Sequence, residues 1–166
     1  MKKITLCMTV LLLLLHSMSV ACALEKVRDD KILSYMSNNP SEFYYLMSPG
    51  SGMNNYIDIK TLNVEIYTPP VYIISFKEIF VSHSPKGNIS AFVGYSRYKY
   101  DYTNKTVYRE VLTDNKSEWE EITYWKLKSG ADLIFAMAYN RHFYDSYDKD
   151  DLADRYLHGK VIVYEE

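Results

Sequence analysis

Two long runs of β-branched and aromatic residues in the middle of the chain constrain its fold more than any other feature. The first, 71–81, is apolar on both faces at its start, which is typical of a central strand. The second, 89–102, follows a polar loop over 82–88, and Gly94 marks a possible bulge within it. Both runs are too long for turns and lack the period of a helix, so we expect them to form the centre of a sheet.

Shorter segments on either side extend this sheet. The further predicted strands are 43–47, 62–67, 106–112 and 160–164. Positions 62–67 alternate between aliphatic residues and Asn, Glu or Tyr, which is the pattern of a half-buried strand. Composition predicts turns at 48–52, at Pro69-Pro70 and at Asn104, the last of which would make 106–112 return as the partner of the second long strand.

Helical spacing occurs near both ends of the remaining chain. Apolar residues three or four apart around Ala131 to Ala138 predict an amphipathic helix, and Ser129 and Asp132 match the S-x-x-[DE] capping pattern at its start. A shorter helix is expected over 24–37. The predicted class is α+β: an antiparallel sheet of four to six strands packed by a C-terminal helix, with a short N-terminal helix.

Acidic and tryptophan residues near the C-terminal helix have structural interpretations. The aspartates after the helix lack the Gly and Glu of a calcium loop, so they predict a solvated, helix-initiating turn; they are Asp145, Asp148, Asp150, Asp151 and Asp154. Trp119 and Trp125 are expected in the core or at an edge that closes the sheet.

The first 23 residues have the three parts of a secretory signal peptide. Lys2 and Lys3 precede an apolar stretch that is too short to span a bilayer, and small residues at Ala21 and Ala23 form a cleavage site. We therefore expect cleavage between Ala23 and Leu24, which leaves 24–166 as one exported domain without a transmembrane segment.

Cys22 offers an alternative fate for the N-terminus. Ala21 suits the position before a lipidated cysteine, although Ser19 stands where Leu is usual, so a lipid anchor at Cys22 remains open. The only other cysteine is Cys7. The domain over 24–166 therefore has no disulfide, catalytic thiol or cysteine-bound metal.

Charge and motif content exclude several classes of function. A formal charge of −2 and a pI near 6.1 argue against a nucleic-acid-binding protein. The sequence has no phosphate-binding loop, dinucleotide fingerprint, G-x-S-x-G or H-E-x-x-H. His83, His142 and His158 are scattered, with no carboxylate at ligand spacing, so no cofactor, metal site or catalytic residue is assigned and a non-enzymatic protein is favoured.

Tyrosine is the unusual feature of the composition, with 17 residues. Tyr98, Tyr100 and Tyr102 alternate along one strand and share a face, while Tyr108 is expected across the turn from Tyr100 or Tyr102. These four are the candidate ligand-binding residues. They form either an exposed aromatic platform for sugar rings or peptide, or cross-strand pairs that only stabilise the sheet.

Several segments taken together resemble the surface-adhesin protein E family. They cover about residues 53–126 and are Tyr56-Ile57-Asp58, 62–67, 71–81, 98–108 and Trp119. The resemblance implies a secreted or surface-exposed bacterial envelope protein, an antiparallel sheet packed by a helix, and adhesion. Members of the family often carry cysteines that tie helix to sheet, which 24–166 lacks, and no binding residue is carried over.

The preferred hypothesis is an exported bacterial protein, secreted, periplasmic or on the cell surface. It would bind a host or cell-wall macromolecule through a tyrosine-rich sheet surface without catalysis. One alternative is an extracytoplasmic hydrolase or inhibitor whose site is assembled from distant residues, which a carboxylate beside a buried His83 or His142 would favour. Another is a structural periplasmic subunit.

Overall fold

The computed structural model describes residues 27–50, 52–84, 86–113, 116–145 and 151–159. Its strands all pair antiparallel; they are β1 (Val27–Arg28), β2 (Phe43–Gly50), β3 (Met53–Thr68), β4 (Val71–His83), β5 (Ile89–Asp101), β6 (Thr106–Thr113) and β7 (Lys116–Glu121). The helices are α1 (Lys31–Asn38), α2 (Trp125–Tyr139) and α3 (Leu152–Leu157), with a short 3-10 helix at Pro40–Glu42. The predicted α+β class with an antiparallel sheet and a C-terminal helix is confirmed.

The sheet is built on the pairing of the two long central strands. Its order is β2-β3-β4-β5-β6-β7, and the two-residue β1 pairs with the first half of β5. The β4–β5 ladder runs without a register shift from Val71 opposite Asp101 to His83 opposite Ile89. Gly94 lies within this ladder opposite Glu78, so the bulge expected there is absent and the side chains of both strands alternate along their full length.

One face of the sheet, here called the inner face, packs against α2 and α3 and forms the main core. Tyr100 is fully buried on this face, with its ring 5.2 Å from that of Phe135 in α2 and 5.1 Å from that of Phe143. Its hydroxyl donates a hydrogen bond of 2.9 Å to the carbonyl of Ala131. The helix is therefore held to the centre of the sheet by both aromatic packing and a buried hydrogen bond.

The opposite face, here called the outer face, is covered only in part. Ile32, Leu33 and Met36 of α1 pack against a small cluster of Ile79, Val81 and Ala91. Beyond this cluster the outer face of β5, β6 and β7 is polar and aromatic, and Tyr95 keeps 55% of its surface exposed. The three described helices all pack elsewhere, so this part of the sheet faces solvent.

The strand predicted over 62–67 is present, but its aliphatic side chains are not buried along one face as the alternation suggested. Val64, Ile66 and Tyr67 are 37%, 40% and 65% exposed. The reason is that β2 pairs with β3 only as far as Asp58, so the rest of β3 is an edge of the sheet. Register shifts on both sides of Val64 also break the alternation that the sequence suggested.

Three expectations about helix ends and turns require correction. The helix α2 begins at Trp125, six residues before Ala131, so Ser129 and Asp132 lie inside it and do not cap it. Trp125 is 67% exposed and belongs neither to the core nor to a sheet edge. The turn expected over 48–52 is shorter, because β2 continues to Gly50.

Some expectations concern residues that lie partly or wholly outside the described ranges. The N-terminal helix is α1, which begins at Lys31 and not at 24, while 24–26, the strand over 160–164 and Asp148 and Asp150 lie outside the described ranges. The aspartate turn does initiate a helix: the Asp151 side chain accepts the Asp154 N–H of α3. No helix in the described part of the chain combines the length and apolar character needed to cross a membrane.

Removal of the Tyr100 hydroxyl tests how α2 is attached. Tyr100→Phe is expected to lower the free energy of unfolding by about 1 kcal/mol, because it deletes a buried hydrogen bond while the ring stays in place. Tyr95→Phe, at an exposed position of the same strand, should change it by less than about 0.5 kcal/mol. Urea unfolding followed by circular dichroism measures both, and equal effects would contradict this attachment.

Candidate functional site

The structure divides the tyrosine row between core and half-buried positions. Tyr98 and Tyr100 are only 4% and 0% exposed, because these alternate positions of β5 face α2. Tyr102 is half-buried, with its ring 6.3 Å from that of Phe135. Tyr98 and Tyr100 therefore cannot form an exposed platform, and their rings pack the core.

Tyr108 lies on the opposite face from the position expected for it. The β5–β6 register places Tyr108 opposite Lys99, while Val107 is the residue opposite Tyr100. The hairpin turn contains Lys105 in left-handed conformation, with a φ of 53°. It shifts the strand register by one residue relative to a pairing of Tyr108 with Tyr100. Because side chains alternate, this shift moves Tyr108 to the outer face.

Four outer-face side chains then form a group that we call the cation–aromatic row: Arg97, Lys99, Tyr108 and Trp119. Lys99 Nζ lies 4.6 Å from the centre of the Tyr108 ring and 5.0 Å from that of Trp119. The guanidinium carbon of Arg97 lies 5.6 Å from the centre of the Trp119 ring. These distances are those of cation–π contacts, and strands β5, β6 and β7 each contribute to the row.

Acidic side chains hold the row in place at one end. Arg97 Nη2 lies 2.7 Å from Glu65 Oε2, and its Nη1 lies 2.7 Å from Glu110 Oε1. Glu110 also accepts a hydrogen bond from Ser117. The hydrogen bond with Glu65 raises the pKa of Arg97 and lowers that of Glu65, so both remain charged. The row is thus preorganised by a network that spans β3 to β7.

The two cations of the row differ in how their charge is compensated. Arg97 is paired with two carboxylates, whereas no carboxylate of the described residues lies within ion-pair distance of Lys99. Lys99 is instead positioned by two aromatic rings. An ammonium group held in this way on a solvent-facing sheet can pair with an anionic group of a ligand whose apolar part contacts the rings.

A second cluster lies on the inner side of the molecule, around Asp132. This carboxylate is 1% exposed, and its Oδ1 accepts the backbone N–H of Phe143 at 2.6 Å and that of Tyr144 at 3.4 Å. Its Oδ2 lies 2.6 Å from His142 Nδ1. Asn140, in left-handed conformation with a φ of 54°, ends α2 and lets the chain turn back toward Asp132. Asp132 therefore ties the helix to the segment that follows it.

A third ionisable group joins this cluster from α3. One ligand atom from each of Asp132, His142 and Asp151 lies within 4.8 Å of the other two. Burial raises the pKa of Asp151, and the nearby charge of Asp132 raises it further, while His142 and two backbone N–H groups act in the opposite direction. The arrangement brings two carboxylates and an imidazole together in a largely buried place.

The other histidines lie apart from this cluster. His83 is exposed at the end of β4, and His158 is exposed at the end of α3, with its Nδ1 3.2 Å from Asp154 Oδ1. Asp154 is 7% exposed, so it is not solvated as the sequence suggested. The sequence carried no usable signal for the contact of Asp132 with His142, because it depends on how the chain turns after α2.

Comparison of the chain with models of protein families, with curated proteins and with solved structures gave no match.

Loss of the Asp132 carboxylate should release the segment after α2. Asp132→Ala leaves two backbone N–H groups and an imidazole without their acceptor, so we expect a loss of about 2–4 kcal/mol in the free energy of unfolding. Asp145→Ala is the matched control, since that side chain is 80% exposed and forms only a surface ion pair with Lys105. Denaturant unfolding of both proteins measures the difference, and a loss below 1 kcal/mol in Asp132→Ala would contradict the proposed role.

The buried phenols should make the fold sensitive to alkali. Burial raises the pKa of Tyr98 and Tyr100 above the ordinary value, so these groups stabilise the fold fully below about pH 10 and lose that contribution as the pH rises further. Phenolate absorbance and circular dichroism, followed together on raising the pH, should show these tyrosines ionising only as the sheet unfolds. Reversible ionisation of all tyrosines in the folded protein would be inconsistent with their burial.

Proposed function

We propose that this chain is an exported, non-enzymatic bacterial protein that binds a host or cell-wall macromolecule through the cation–aromatic row. The single observation that carries the proposal is Lys99, whose ammonium is held between Tyr108 and Trp119 on a solvent-facing part of the sheet. Of the four tyrosines that the sequence offers as ligand-binding residues, only Tyr108 belongs to this row.

The chemistry of the row favours an acidic polysaccharide as the partner. Ring faces of Tyr and Trp contact the apolar C–H surface of sugars, and the ammonium of Lys99 pairs with a carboxylate or sulfate group. The ion pairs with Glu65 and Glu110 hold Arg97 in place against the Trp119 ring before the ligand arrives. Little ordering is then required on binding, which favours affinity from a small contact area.

Export is part of the same proposal. It rests on the signal-like segment before Leu24, with cleavage after Ala23 or lipidation of Cys22, and these residues lie outside the described ranges. The resemblance to the surface-adhesin protein E family supports the same location and a binding role. A ligand-binding face on a small exported domain agrees with both.

Tryptophan fluorescence offers a direct test, because the chain has only two tryptophans. Trp125→Phe leaves Trp119 as the sole indole, and titration with an acidic polysaccharide such as heparin or alginate should change its emission in a saturable way. Lys99→Ala and Tyr108→Ala in this background should each weaken binding about tenfold, as expected for a contact of 1–2 kcal/mol. Tyr124→Ala, an exposed aromatic residue outside the row, is the matched control.

The outcomes of this titration are distinct. Saturable binding that Lys99→Ala weakens and Tyr124→Ala does not supports the row. Equal affinity of all variants would place binding elsewhere, and the absence of any emission change up to millimolar sugar would remove the acidic polysaccharide as the partner.

The pair of Asp132 and His142 favours one second candidate, an extracytoplasmic hydrolase. A carboxylate that orients an imidazole through Nδ1 is the arrangement found in hydrolytic triads, and here their separation is 2.6 Å. Such an enzyme also requires a nucleophile within reach of the imidazole. Turnover of ester or peptide substrates that disappears in His142→Gln and persists in Lys99→Ala would select this candidate over binding by the row.

A further inference from the structure

The cluster of Asp132, His142 and Asp151 carries an inference that is independent of ligand binding by the cation–aromatic row. Its three side chains come from α2, from the segment after it and from the N-terminus of α3. They converge within 4.8 Å although they are far apart in the sequence. None of them is on the cation–aromatic row, which lies on the other face of the sheet.

Two carboxylates and one imidazole meet in this cluster. Among the described residues, no Lys or Arg side chain lies within ion-pair distance of either carboxylate. Asp132 is 1% exposed, and the side chain of His142 is 12% exposed, so solvent screens the carboxylate charge poorly. A divalent cation between these ligand atoms would offset the charge of both carboxylates.

We propose that Asp132, His142 and Asp151 form a binding site for a divalent transition-metal ion, of which Zn²⁺ fits the donor set best. One imidazole nitrogen and two carboxylate oxygens are ligands that zinc accepts, and a water molecule completes its tetrahedron. The mixed nitrogen and oxygen set is less suited to Ca²⁺ or Mg²⁺, which prefer oxygen alone.

The hydrogen bond between Asp132 and His142 must open for both side chains to bind the ion. Oδ2 and Nδ1 are 2.6 Å apart, which is the distance of a hydrogen bond between the carboxylate and the imidazole. Ligands bound to zinc at about 2.0–2.1 Å in a tetrahedron lie about 3.3 Å from each other. When zinc takes up Nδ1, the neutral imidazole carries its single proton on Nε2, and the two ligand atoms separate by less than an ångström while Oδ1 keeps its bonds to the Phe143 and Tyr144 N–H groups.

The chain offers conservative variants and matched controls for this site. His142→Gln keeps a side-chain donor for Asp132, and Asp151→Asn keeps a side chain that is equally suited to begin α3. His158→Gln removes an exposed histidine that also lies beside a carboxylate, and Asp145→Asn removes an exposed aspartate. The controls thus delete the same chemical groups outside the cluster.

Isothermal titration of the untagged protein with ZnCl₂ tests the proposal. We expect one Zn²⁺ per chain and a higher melting temperature with zinc, because the ion binds the folded chain. His142→Gln and Asp151→Asn should each weaken binding at least tenfold, whereas His158→Gln and Asp145→Asn should bind as the unmodified protein does. Circular dichroism confirms that each variant is folded.

Other results would overturn the site. Absence of zinc binding by the folded unmodified protein would remove it, and so would equal losses in the controls and the cluster variants, which indicate surface binding. Replacement of Zn²⁺ by Co²⁺ gives a second measure, since visible absorption of tetrahedral Co²⁺ should appear in the unmodified protein and disappear in His142→Gln.

Discussion

The packing of α2 against the inner face of β4 and β5 is the interaction on which the rest of the structure depends. The Tyr100 ring contacts Phe135 and Phe143, and its hydroxyl binds the Ala131 carbonyl. Because side chains alternate along a strand, burial of Tyr100 places Lys99 on the opposite face. The same contact that closes the core therefore decides which side chains meet solvent.

The buried carboxylate of Asp132 extends this constraint beyond the helix. It accepts the N–H groups of Phe143 and Tyr144, so the ring of Phe143 reaches Tyr100 only when the segment after α2 is folded back. The bond to His142 belongs to the same turn. Core packing by Phe143 and the contact of Asp132 with His142 are thus two results of one local chain reversal, which gives the buried carboxylate a structural role.

How far the sequence predicts this structure depends on how local the deciding interaction is. The β-branched and aromatic composition of β4 and β5 is sufficient to predict these two strands. The spacing of apolar residues around Ala131 is sufficient to predict the helix there. Tyr108 could not be placed, because one residue more or less in a turn moves a side chain to the other face. The edge position of Val64 was equally hidden, since it depends on where β2 stops pairing with its neighbour.

Asp132 shows the same limit at the level of the site. From the sequence alone, Asp132 is explained as part of a capping pattern with Ser129. In the structure its role is to bind the segment that folds back after α2, which the local sequence does not indicate. Because α2 begins at Trp125, Asp132 is the eighth residue of the helix. Only the first four backbone N–H groups of a helix lack partners within it, so no cap is required at Asp132.

The charged groups of the two candidate sites differ in how fully their charges are compensated by neighbouring residues. Arg97 is matched by Glu65 and Glu110, and such a network is sufficiently explained by the fold it supports. Lys99 has no described carboxylate within ion-pair distance, although Asp101 on the same strand interacts with its charge, and among the described residues two carboxylates meet one imidazole around Asp132. Solvent compensates the ammonium of Lys99 until an anion replaces it, whereas the carboxylate of Asp132 is shielded from solvent; this difference is the physical reason to look for an exchangeable anionic partner at the outer face and for a bound cation at the inner cluster.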